Sequence, residues 1–179
     1  MKILWFVFIG CAILGMFVDS NYADLSTIVE SEEPERIATG FQFTEGPVWH
    51  PDGYLLFSDI PANSILKWTP DGNVETFRNP SGNSNGLTFD RQGLFIACEH
   101  GNRRISRTEK NGTVVTLADR YSGKRLNSPN DVVVKSDGSI YFKDPPYGVQ
   151  EDQRELDFQG VYRLASDGTL TLLVDDFDR

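Results

Sequence analysis

Three polar residues of this 179-residue chain share one register: Glu45, Asn85 and Asn130 lie eight residues ahead of Gly53, Gly93 and Gly138 respectively. One carboxylate and two amides offer oxygen ligands, which suit a hard cation such as calcium, magnesium or manganese better than a thiolate-seeking metal. A single carboxylate is thin provision for a divalent ion, so at least one further ligand must come from elsewhere. The same residue types also make ordinary turn and capping hydrogen bonds. Spacing alone weighs the two roles about evenly.

The elements that must position these residues come from an internal repeat. VWHPDGYLLFSD with ILKWTPDGNVETF is followed by LTFDRQGLFIACE with RISRTEKNGTVVTL, then by VVVKSDGSIYFKD with GVYRLASDGTLTLL. The first turn glycines are spaced by 40 and 45 residues. The second turn glycine follows 19 residues on at Gly72 and Gly112 but 30 on at Gly168, so the third copy carries an 11-residue insertion. Each copy reads as four short strands rich in Val, Ile, Phe and Tyr, broken by Asp-Gly or Asn-Gly turns. A four-stranded unit of this length is the signature of a β-propeller blade, which predicts an all-β fold of about three blades. Glu45, Asn85 and Asn130 then stand at the start of the innermost strand of each blade, beside the central channel.

Residues 82–86, GNSNG, match the G-x-S-x-G pattern of a hydrolase nucleophile elbow. An elbow needs a strand before the serine and a helix after it. Here a polar loop precedes and a strand pattern follows, so Ser84 reads as a loop residue and Asn85 as the informative one. His100 closes the second strand of its copy, where it either lines the channel mouth or sits half-exposed in a turn. The run Asn102-Arg103-Arg104 reads as a solvated strand end, and Cys98, inside LFIAC, as a buried small hydrophobe.

Residues 1–23 read as a secretory signal: Lys2 precedes an uncharged run from Ile3 to Val18, longer than a typical signal core of about 7–15 residues and shorter than the roughly 18 or more of a membrane span. A secreted or periplasmic protein is expected, with an uncleaved anchor as the alternative, and residues 24–179 form a partial propeller. The net charge of −9 argues against nucleic acid and against anionic membrane once the leader is removed. Cys11 falls in the leader, leaving Cys98 without an internal disulfide partner.

The stretches FTEGPVWHPDGYLLFSD (43–59), SNGLTFDRQGLFIACEHGNRRISR (84–107) and RLNSPNDVVVKSDGSIYFKDPPYG (125–148) carry a resemblance to the SMP-30/gluconolactonase/luciferin-regenerating family of six-bladed β-propellers. The resemblance covers nearly everything after the leader. It implies a hydrolase that opens sugar lactones or other esters around one divalent cation, with calcium first and magnesium, manganese or zinc as alternatives. Glu45 matches the metal carboxylate of the first blade and Asn130 an asparagine that contacts metal or substrate. Asn85, Asp131 and His100 are the further candidates for substrate contact. The family also draws an asparagine and an aspartate, often the base, from later blades, so this chain is expected to supply an N-terminal part of the site and to lack activity by itself. Lys143 departs from the family, which has a small hydroxyl residue there, and is expected to face solvent. The competing expectation is a non-enzymatic propeller that binds a small ligand or a partner protein, since one fold hosts many functions.

Overall fold

The computed structural model describes residues 33–177. The chain divides after Arg36: residues 33–36 lack regular secondary structure, and all the described sheet structure lies in the unit Ile37–Arg179. The leader expected at residues 1–23 falls outside the described residues.

Three four-stranded antiparallel sheets follow one another, each a simple meander. The first joins β1 (Thr44–His50), β2 (Tyr54–Asp59), β3 (Ser64–Trp68) and β4 (Val74–Arg78); the second joins β5 (Ser84–Phe89), β6 (Phe95–Glu99), β7 (Arg104–Thr108) and β8 (Val114–Ala118). A two-residue ladder of β9 (Arg120–Tyr121) with β10 (Lys124–Arg125) leads into the third, built from β11 (Asp131–Val134), β12 (Ile140–Asp144), β13 (Gly160–Leu164) and β14 (Leu170–Val174). The repeated turns explain the meander. The N–H of Gly53, Gly93 and Gly138 each closes a turn onto the carbonyl three residues earlier, at φ of +87°, +76° and +85°, a left-handed conformation that glycine adopts without steric cost. The 11-residue insertion lies between β12 and β13 and carries a single 3-10 turn, Glu151–Gln153.

The middle sheet is covered on both faces. Leu56 and Ile65 of the first sheet pack with Leu87, Phe95 and Ala97 of the second; on the other side Ile96, Cys98 and Ile105 pack with Val132, Ile140, Phe142 and Tyr162 of the third. Every residue of β6 is therefore buried, while β4 and β14 keep exposed positions. Large apolar side chains left in solvent include Phe43 and Trp49 in the first sheet's region and Leu173 and Phe177 toward the chain end.

Candidate active site

The starts of the three innermost strands lie side by side. A Cβ built on Gly46 would stand 2.1 Å from the Asn85 carbonyl oxygen, and one built on Gly86 would stand 2.7 Å from that of Asn130. Only glycine permits this approach. The Gly86 N–H uses it to donate to the Asn130 carbonyl at 2.7 Å, joining β5 to β11 at the level of the candidate residues. In β1 the ladder register shifts between Glu45 and Val48, and in β5 between Ser84 and Leu87. Such bulges re-aim side chains at the end of a strand, and here they fall on Glu45 and Asn85.

Each candidate side chain has its own surroundings. Glu45 is exposed and its carboxylate has no hydrogen bond or ion pair among the described residues. Asn85 is buried at 6% exposure; its carbonyl accepts from Ser58 Oγ at 2.8 Å, and its Nδ2 lies 3.4 Å from His100 Nε2. Asn130 is half-buried, its N–H donating to the Lys143 carbonyl at 2.9 Å. Asp131 is exposed; its Oδ1 accepts the Val132 N–H at 2.9 Å and faces Gly86. Lys143 is exposed, as expected.

His100 is buried rather than half-exposed, and its backbone N–H donates to the Asn83 carbonyl at 3.2 Å. Burial lowers its pKa, so near neutral pH it is an uncharged imidazole beside the Asn85 amide. Ser84 is a buried first residue of β5, not a loop residue. Its hydroxyl shares a 2.9 Å hydrogen bond with Ser58 Oγ, and β5 rather than a helix follows it, so the elbow geometry is absent here.

Two features escape sequence reasoning. Arg103 is no solvated strand end: it is 8% exposed, with Nε donating to the Leu126 and Asn127 carbonyls and Nη1 to the Gln153 carbonyl, tying the insertion to the second sheet. Arg104 is half-buried against Glu99. The second feature is a buried carboxylate six residues after each first turn glycine, at Asp59, Glu99 and Asp144. The common offset is a signal that could have found all three.

Among the described residues, no three His, Cys, Asp or Glu side chains gather into a metal cluster. A cation here would draw on the free Glu45 carboxylate and on amide oxygens. Such an oxygen-only donor set fits a hard ion and offers nothing to a thiolate-seeking one.

Residues 43–179 match the SMP-30/gluconolactonase/LRE-like region. The gluconolactonase of Zymomonas mobilis is 40% identical over 172 residues, which is 83% of this chain and 48% of the relative. A gluconolactonase structure from Xanthomonas campestris superposes with a TM-score of 0.72 at 38% identity, covering 78% of this chain and 49% of that one. A calcium-binding regucalcin from Agrobacterium tumefaciens, at 16% identity, TM-score 0.59 and 78% coverage of this chain against 45% of its own, shares the fold. The chain thus spans about half the length of the gluconolactonases it matches. It is an all-β chain of the β-propeller type and belongs to the SMP-30/gluconolactonase/LRE-like family.

Proposed function

We propose that these residues form the ion-holding part of a metal-dependent sugar-lactone hydrolase, acting outside the cytoplasm if residues 1–23 serve as the export signal. The observation that carries it is the alignment of Glu45, Asn85 and Asn130 at three adjoining strand starts, in a chain 40% identical to a gluconolactonase.

Glu45 and the amide oxygen of Asn130 would hold a divalent cation, calcium first, which when bound polarises a lactone carbonyl and lowers the pKa of a bound water. Glu45 contributes the charge, and no protein cation competes for it among the described residues. Asn85 is held by Ser58 at its carbonyl and turns Nδ2 toward His100, which leaves Oδ1 to accept from a substrate hydroxyl. His100, uncharged because it is buried, keeps positive charge away from the ion. Asp131, with Oδ1 engaged by its neighbour's N–H, has Oδ2 left for a substrate hydroxyl.

The test follows acid release from glucono-1,5-lactone by a protein of the relatives' length that contains these residues, before and after chelation. Chelation is expected to abolish hydrolysis and calcium to restore it. Glu45→Gln is expected to weaken calcium binding and rate together by at least about tenfold to a hundredfold, the loss seen when even a ligand's supporting partner is removed. Hydrolysis that survives chelation would sink the metal assignment, and failure to open any sugar lactone would sink the hydrolase.

A further inference from the structure

Asp59 and Asp144 end the second strands of the first and third sheets, at 4% and 0% exposure. Neither carboxylate forms an ion pair among the described residues. The nearby cation Arg103 directs Nε and Nη1 to carbonyls, and its Nη2 has no partner. Burying an unpaired carboxylate is costly, and an apolar side chain would fill the space without that cost. What the two aspartates do instead is accept backbone N–H groups. Asp59 takes those of Gln42 and Phe43, both at 3.1 Å, three and two residues ahead of Glu45. Asp144 Oδ2 takes that of Asn127 at 2.7 Å, three residues ahead of Asn130.

The middle sheet shows that the requirement belongs to the loop. There the equivalent residue is Glu99, whose extra methylene carries its carboxylate on to Arg78 and Arg104. The loop ahead of Asn85 is held by a different acceptor, Asn63 Oδ1, which takes the N–H of Ser81 at 3.0 Å and of Asn83 at 2.8 Å. Each of the three loops that lead into a candidate residue is thus gripped by a side-chain oxygen from a neighbouring strand end or turn.

We propose that Asp59 and Asp144 are positioning residues of the site, each setting the approach of one strand and thereby the placement of one side chain, Glu45 for Asp59 and Asn130 for Asp144. The inference rests on the reading of Glu45 and Asn130 as site residues, but its test is geometric and does not need hydrolysis. Amide exchange and side-chain amide resonances would be recorded on the full chain at about pH 8, with Asp59 and Asp144 varied separately. Asp144→Ala is expected to lower protection of the Asn127 amide roughly tenfold to a hundredfold, the range of one charge-assisted hydrogen bond. It should shift the Asn130 side-chain resonance and leave Gln42 and Phe43 unmoved. Asp59→Ala should do the reverse. Asp144→Asn, which keeps an acceptor oxygen at the same reach, should restore both the Asn127 protection and the Asn130 signal.

Equal changes at both clamps, or an Asn130 resonance indifferent to Asp144, would overturn the proposal. If Asp144→Ala does not fold, the unaltered chain decides: a scalar coupling across the hydrogen bond from Asn127 N to the Asp144 carboxyl carbon is expected, and its absence counts against the clamp. A protein that shows the clamps yet never hydrolyses a lactone would refute the functional reading and leave the positioning intact.

Discussion

Glu99 and Asp144 occupy one register in neighbouring sheets, six residues after Gly93 and Gly138, and both are sealed from water, yet their acidities move in opposite directions. For Glu99, burial pushes the carboxyl up, but hydrogen bonds from Arg104, Asn102 and Ser106 and the charge of Arg78 hold it below the ordinary glutamate value. For Asp144, burial raises the carboxyl to about 7, and the Asn127 N–H and the Arg103 charge offset only part of it. Both side chains are closed to solvent; the deeper desolvation of Asp144 and its fewer donors act in the same direction. Glu99 receives Arg78 Nη2 at 2.9 Å, Arg104 Nε at 2.7 Å, Asn102 Nδ2 at 2.6 Å and Ser106 Oγ at 2.5 Å, whereas Asp144 Oδ1 has no partner.

The comparison breaks if neutralising the two carboxylates moves stability the same way. Glu99→Gln strands Arg78 and Arg104 beside a neutral amide, and breaking a buried pair costs about 3–5 kcal/mol. Urea unfolding near neutral pH should show that loss, the largest expected here. Asp144→Asn should do the opposite. Between the ordinary carboxylate range and about 7 the folded chain holds a proton at Asp144 that the unfolded chain has released, so this group's contribution to stability falls as pH rises through that window. At about pH 8 the ionised form is a burden on the order of 2–4 kcal/mol, and Asp144→Asn should raise the melting temperature. The gap should close toward pH 4, and a destabilised variant at pH 8 would show that Asp144 is better solvated than its surroundings indicate. The smallest effect sharpens the contrast from outside. Lys67 and Glu75 meet at 2.9 Å, the same separation as Arg78 and Glu99, but on the surface. Glu75→Ala should leave the unfolding midpoint unchanged within error, because water already solvates both ions and salt screens them.

Much of the architecture is legible in the sequence because the turns are spelled out. Turn glycines at repeated spacings, preceded by Asp or Asn everywhere except at Gln92-Gly93, place the hairpins, and the longer interval to Gly168 locates the insertion. The common offset of Glu45, Asn85 and Asn130 anticipates their place at adjoining strand starts. What the pattern does not carry is which neighbour each polar group meets. Arg103 looks like one of a run of exposed basic residues, but a left-handed backbone at φ +57° accompanies its burial against the carbonyls before β11 and of the insertion. Ser84 likewise looks like part of a polar loop until Ser58, 26 residues away, supplies its partner. Periodicity reports the face a residue lies on within its own sheet, and these contacts form between sheets.

Cys98 gives the middle sheet a kinetic consequence. It is the free cysteine among the described residues, fully enclosed in β6, and its thiol is held well above its ordinary range by burial and then by the charges of Asp131 and Asp144. Alkylation requires a thiolate that a reagent can reach, and both conditions arise only when the covering sheets part. The rate at which a maleimide or dithio reagent labels Cys98 itself, read at that residue in the folded chain, would therefore count opening events. With dilute reagent the labelling rate follows the equilibrium fraction of open molecules, and with excess reagent it approaches the opening rate itself. A residue that contributes only packing to the resting fold thus serves as a built-in clock for how often its centre is exposed.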